Sequence, residues 1–192
     1  QLAFLYPARV HRAQPAQLTA SGAFERWPLS VWVDHPGVRV GVGEKQGQLS
    51  VTVTDDASGG LCWLRLYDEE GATQMRPLLI GALPETLEVE PNDDPGKPQP
   101  LEHSTLINGK LNKRGDVDTF AIDVKKGQTL IASLRANELL ASPMDGVMQI
   151  TDARGFVLAQ NDDARGLDPL IAFEVPDDGT YLVRTFAFPA KP

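Results

Sequence analysis

Asp118-Thr119-Phe120-Ala121-Ile122-Asp123-Val124 carries a large apolar residue at every second position from Phe120. Successive side chains of an extended backbone point to opposite faces, so Phe120, Ile122 and Val124 share one face. That period of two predicts a strand with one buried side. Lys125-Lys126-Gly127-Gln128 then reads as a hairpin turn into a second strand over 129–134.

The same pattern extends in both directions. Downstream, strands are expected over 147–151 and 156–160, flanking Asp152-Ala153-Arg154-Gly155, and over 170–175 and 181–188, flanking Asp177-Asp178-Gly179 as a hairpin turn. Upstream, strands are expected over 16–21, 29–33, 38–42, 49–53, 61–67, 77–80 and 105–107, separated by Pro, Gly, Asn and Asp. Only 136–140 has the character of a helical turn. The fold class is therefore all-β, as two β-sandwich domains.

Composition narrows the functional classes. The chain has 192 residues, 42% of them hydrophobic, and a net charge of −8. Packed cores fit this composition, whereas a basic surface for nucleic acid does not. No apolar run approaches a membrane span of about 20 residues. Cys62 is the single cysteine, so no intrachain disulfide forms, and its place in an alternating strand reads as a small buried hydrophobe. The chain opens on Gln1 without an initiator Met, which reads as a mature or trimmed product.

Composition changes between Pro84 and Pro100, a window with five prolines and five acids before its first base, Lys97. Within it, Glu88-Val89-Glu90-Pro91-Asn92-Asp93 concentrates oxygen ligands. Extended backbone would place Glu88 and Glu90 on one side, roughly 6.6 Å apart. Pro91 stops a ladder, and Asn92-Asp93 favours a turn back toward them. Hard cations such as calcium take such oxygens. On spacing alone, a solvated acidic linker is the leading reading and a metal site the second. The domain division expected is 1–84, a linker 85–100 contributing metal ligands, and 101–192.

Several motifs in order carry a family resemblance. Glu88 to Asp93, Gly115-Asp116-Val117-Asp118-Thr119-Phe120, Lys126-Gly127-Gln128-Thr129-Leu130, Asn161-Asp162-Asp163 and Asp178-Gly179-Thr180-Tyr181-Leu182-Val183 closely resemble the bacterial pre-peptidase C-terminal domain over about 86–188. The resemblance implies a jelly-roll-like β-sandwich appended to secreted enzymes and surface proteins, related to the collagen-binding domains of clostridial collagenases. It implies calcium held by Glu88, Glu90, Asn92, Asp93, Asp116 and Asp118. Collagen as a ligand is not carried over. Residues 1–84 resemble an immunoglobulin-like module of the IPT/TIG type, and the tandem is similar to planctomycete-type secreted proteins. A further strand usually follows the segment matching 181–188 in this family, so the domain is expected to lack its last strand. Strand 181–188 is then expected to be an open edge, capped by another segment or subunit.

The remaining candidates read as structural. His11, His35 and His103 sit beside turns, and no zinc, haem, nucleophile-elbow or phosphate-loop spacing is present. Trp32 and Trp63 lie in strands and are expected in the core, with Trp27 before Pro28 more open. The Asn161-Asp163 loop reads as a polar turn.

The expected function is a non-catalytic, calcium-stabilised binding or spacer module of a larger secreted, periplasmic or cell-surface protein. Calcium would stiffen the hinge between the two sandwiches. Expected partners are calcium and an extracellular protein or polysaccharide, with no nucleic acid and no membrane insertion. One alternative is a surface protein assembling by strand addition. The other is a hydrolase using acidic loop residues.

Overall fold

The computed structural model describes residues 1–188, and they form two compact units. The first comprises Gln1–Leu87 and Leu106–Asn108. The second comprises Glu88–Thr105 and the chain from Gly109 onward.

In the first unit, alternating apolar residues build two sheets. One contains β1 (Leu2–Tyr6), β3 (Ala16–Gly22), β6 (Gln48–Val53) and β5 (Val38–Val42), in the order β1-β3-β6-β5. The other contains β2 (Arg9–His11), β9 (Arg76–Gly81), β7 (Gly60–Asp68) and β4 (Ser30–Val33), in the order β2-β9-β7-β4, with β8 (Gly71–Ala72) beside β7. Leu49, Val51 and Val53 from one sheet and Cys62, Leu64 and Leu66 from the other alternate inward and are almost fully buried. Cys62 is therefore a core residue, and burial first, then the nearby Asp34 charge, pushes its thiol up to about 12. β10 (Glu85–Leu87) pairs in parallel with β12 (Leu106–Asn108). The buried Arg9 holds this region, with its guanidinium 3.1 Å from Glu85 Oε2 and its backbone N–H donating to Asn108 Oδ1 at 3.1 Å.

Two tryptophans reverse their expected environments. Trp32 is 44% exposed, with the Arg65 guanidinium 5.5 Å from its ring centroid. It stands opposite Arg65 on the side of the sheet away from Leu64 and Leu66. Trp27 instead packs on the core, 5.5 Å from the Phe24 ring, and donates its indole N–H to Gly43 O at 2.7 Å.

The second unit places five strands in one sheet. They are β11 (Gln99–Leu101), β13 (Val117–Val124), β18 (Gly179–Ala187), β15 (Gly146–Asp152) and β16 (Val157–Asn161), in that order. β14 (Thr129–Ser133) and β17 (Leu170–Glu174) form a second, two-stranded sheet. Leu130, Ala132 and Ile171 from the small sheet meet Met148, Ile150 and Tyr181 from the large one in a common core.

Two turns differ from their expected role. The 125–128 turn joins β13 to β14, and 177–178 joins β17 to β18, yet neither pair is hydrogen-bonded as a hairpin. Both cross from one sheet to the other. Local turn chemistry is the same for a hairpin and for such an arch, so only the packing of the two apolar faces decides between them. Asp178 ties the arches by accepting the Lys126 backbone N–H at 2.8 Å. By contrast, β15 and β16 do pair around Asp152–Gly155. The expectation of an open edge at 181–188 is also overturned. β18 is central, with β13 on one side and β15 on the other, so its backbone groups are already engaged.

The short helix α1 (Asn137–Leu140) is capped from a distance. Asp168, fully buried, accepts the backbone N–H groups of Ala136 (3.0 Å) and Asn137 (2.7 Å) through Oδ1, and of Glu138 (2.9 Å) through Oδ2. Free N–H groups at a helix start need acceptors, and this one carboxylate supplies three.

Candidate metal centre

Asp118 lies near the start of β13, on the face that also carries Phe120 and Ile122, opposite Thr185 of β18. Its side of the sheet is covered, and the residue is 4% exposed. Before β13, Gly115 has φ of 78°, a left-handed conformation that favours glycine, and Asp116 follows as the chain turns into the strand.

The segment 88–93 runs beside this strand start. Asn92 O accepts the Thr119 N–H at 3.2 Å. Asn92 is 1% exposed, and its amide nitrogen donates to Glu88 Oε1 at 3.2 Å. Glu88 Oε2 accepts the Lys110 N–H at 2.8 Å. Glu90 accepts the Asn92 backbone N–H at 3.1 Å and the Asn112 side-chain amide at 3.0 Å. These bonds fix both glutamates toward the Asp118 carboxyl.

Glu88, Glu90 and Asp118 thus each bring a carboxylate oxygen within 4.8 Å of the other two. Oxygens sharing a calcium ion at about 2.3–2.6 Å lie no more than roughly 5 Å apart, so this spacing fits one ion. Asp118 Oδ1 and Asn92 Oδ1 are buried and have no hydrogen-bond partner. The donor set is all oxygen, with neither histidine nor cysteine, which suits a hard cation and not zinc.

Three carboxylates at this range repel. Burial, then a hydrogen bond with Glu88, then the negative charges of Glu88, Asp116 and Glu90 push the Asp118 carboxyl up to about 9. Without a cation, a proton on Asp118 relieves the repulsion.

Asp93 and Asp116 face elsewhere. Lys113 Nζ lies 2.6 Å from Asp93 Oδ2 and 3.5 Å from Asp116 Oδ1. The Lys113 hydrogen bond, with a further one from the Val117 N–H, holds the Asp93 carboxyl below the usual carboxylate range. Asp93 in turn raises Lys113. Asp116 Oδ2 accepts the Asn112 backbone N–H. Of the six residues singled out in the sequence, Glu88, Glu90 and Asp118 therefore converge on one point, Asn92 bonds to Glu88 through its amide nitrogen, and Asp93 and Asp116 converge on an ammonium. Lys113 carried no signal in the sequence, because a lone lysine in a loop is ordinarily solvated.

Other candidates resolve structurally. Asn161 Oδ1 accepts the Leu170 N–H at 3.0 Å, while Asp162 and Asp163 are exposed. His11 and His35 bond to nearby loop atoms, Ala82 O and Ser58 Oγ, and among the described residues neither joins an acidic group that could hold a metal. Asp168, which sequence reasoning missed, is a helix cap.

Comparison with known proteins follows the same segment. Residues 116–187 match the family model described as the bacterial pre-peptidase C-terminal domain. A probable subtilase-type serine protease of Deinococcus radiodurans is 35% identical over 96 residues. That alignment takes in 49% of this chain and 13% of the protease, so the chain spans a small part of that relative's length.

Proposed function

We propose, from the premise that residues 116–187 form a pre-peptidase C-terminal domain, that this chain is a calcium-stabilised, non-catalytic module of a larger secreted protein. Domains of this family are all-β and non-catalytic, and they occur in secreted proteases, which supports an extracellular setting. The role is to support or position a neighbouring domain, or to bind an extracellular polymer for it.

One observation carries the calcium reading. Glu88, Glu90 and Asp118 each bring a carboxylate oxygen within 4.8 Å of the others, and Asp118 Oδ1 and the oxygen of Asn92, whose amide bonds to Glu88, are buried without partners. Crowded carboxylates beside unsatisfied buried acceptors are costly unless a cation neutralises and coordinates them. In this reading Glu88, Glu90, Asp118 and Asn92 hold the ion, and water completes the six to eight oxygens calcium takes. The ion's contribution is to neutralise charge and join 88–92 to the start of β13.

Thermal unfolding in chelator and in calcium tests this. At a hundredfold excess over Kd, calcium adds about 2.7 kcal/mol, a rise in Tm of roughly 10–20 °C for a unit of this size. The gain should vanish in Glu90→Gln combined with Asp118→Asn. Equal melting temperatures with and without calcium in the native sequence would refute the proposal.

A further inference from the structure

We propose that Lys113 is a tethered counter-cation, whose ammonium fills a second cation position in this cluster and limits the chain to one divalent ion. The inference rests on the calcium reading above and concerns the two acids left outside it.

Asp93 and Asp116 are arranged alike. Each gives one oxygen to a backbone N–H, Asp93 Oδ1 to Val117 at 3.3 Å and Asp116 Oδ2 to Asn112. Each aims its other oxygen at Lys113 Nζ, at 2.6 and 3.5 Å. Two carboxylates converging from different loops on one positive charge is how a divalent ion is also gripped.

The fit to the ammonium is incomplete. The Asp116 side chain is 1% exposed, and its Oδ1 has no hydrogen-bond partner. At 3.5 Å the ammonium compensates its charge but lies beyond the usual 2.7–3.2 Å of a hydrogen bond. The Lys113 side chain is itself 60% exposed, so water reaches the position. A buried, unsatisfied carboxylate oxygen open to exchange on one side has the properties of a ligand held by a substitute.

Charge explains the limit. Glu88, Glu90, Asp93, Asp116 and Asp118 carry five negative charges when all are ionised. One calcium ion and Lys113 offset most of that charge. A second divalent ion at Asp93 and Asp116 would have to displace the ammonium from a short ion pair. Removing the ammonium leaves two carboxylates facing one another, a strong attraction for a cation.

Calcium titration calorimetry and native mass spectrometry on the full chain test this with Lys113→Gln and Lys113→Arg. The native chain and Lys113→Arg should each bind one calcium, and Lys113→Gln two. In chelator, Lys113→Gln should melt below the native chain, and saturating calcium should restore it. A purely structural lysine would leave the deficit in place. One unchanged binding event in Lys113→Gln, a deficit that calcium does not repair, or two ions in the native chain would each overturn the inference. No binding in the native chain would instead refute the Glu88, Glu90, Asn92 and Asp118 site, and the inference with it.

Discussion

Asn92 donates its side-chain amide to Glu88 Oε1 at 3.2 Å, which turns its own carbonyl oxygen into a buried site with no partner. A four-residue spacing along an irregular segment thus orients a carboxylate and leaves a neutral oxygen beside it. The Glu88 carboxylate so oriented brings an oxygen within 4.8 Å of Glu90 and Asp118.

Asp118 sets a pH dependence in the calcium-free protein. Its folded pKa of about 9 lies above the ordinary value of 3.8. The protonated form is favoured by folding, so its contribution is full below about pH 4 and is lost as pH rises toward 9. In chelator, Tm should therefore fall between pH 5 and 8, and Asp118→Asn should flatten that slope. Asp93, Asp152 and Asp178 have lowered values, so their contributions are lost only as pH falls below the ordinary carboxylate range. A Tm that rises over pH 5 to 8 in chelator would contradict the assignment.

Gly109 keeps Glu88 in place. A Cβ at this position would lie 3.2 Å from Glu88 Oε2, the oxygen that accepts the Lys110 N–H. Gly109→Ala should push the carboxylate aside by a few tenths of an ångström. Calcium affinity should drop roughly threefold to tenfold, about 1 kcal/mol. Titration of the variant against the native chain measures it.

Asp168 is the structural acid of the second unit. Asp168→Ala would take the acceptor from the N–H groups of Ala136, Asn137 and Glu138, of which Ala136 is the buried one. The expected loss is about 1–3 kcal/mol, the cost of the one N–H that solvent does not reach. Denaturant unfolding in chelator should show it. Calcium stoichiometry should stay unchanged, because Asp168 belongs to no part of the acidic cluster.

Trp32 and Leu64 should behave oppositely to their sizes. Trp32→Ala removes a half-exposed ring and its Arg65 contact and should cost no more than about 1 kcal/mol. Leu64→Ala opens a cavity at a fully buried site and should cost about 2–5 kcal/mol. Denaturant midpoints for the two variants would rank them.

Period-two alternation was legible wherever one strand face is buried. Leu49, Val51 and Val53 illustrate it, whereas in β13 the four residues from Val117 to Phe120 are buried on both faces. What the strands pair with was not. The Lys125–Gln128 and Asp177–Asp178 turns read as hairpins because their local chemistry is that of any tight reversal, whereas the sheet each strand joins is set by packing across the core. Trp32 read as core because a ring in an alternating strand usually points inward. Its cover comes from Arg65, opposite in the register but distant in the chain. In the acidic cluster, the order of Glu88, Glu90, Asn92 and Asp118 was visible, but the partition between them and Asp93 with Asp116 was not. That partition depends on where the Lys113 side chain reaches, and no spacing rule encodes it.

Isothermal titration of calcium into the full chain at pH 7, run in buffers of different ionisation enthalpy, reads both the ion and the proton at this site. Asp118 is protonated there without the ion and must ionise to coordinate it. One calcium should bind with close to one proton released, and both should be lost in Glu90→Gln combined with Asp118→Asn. Calcium binding without proton release, or binding that survives both substitutions, would contradict it.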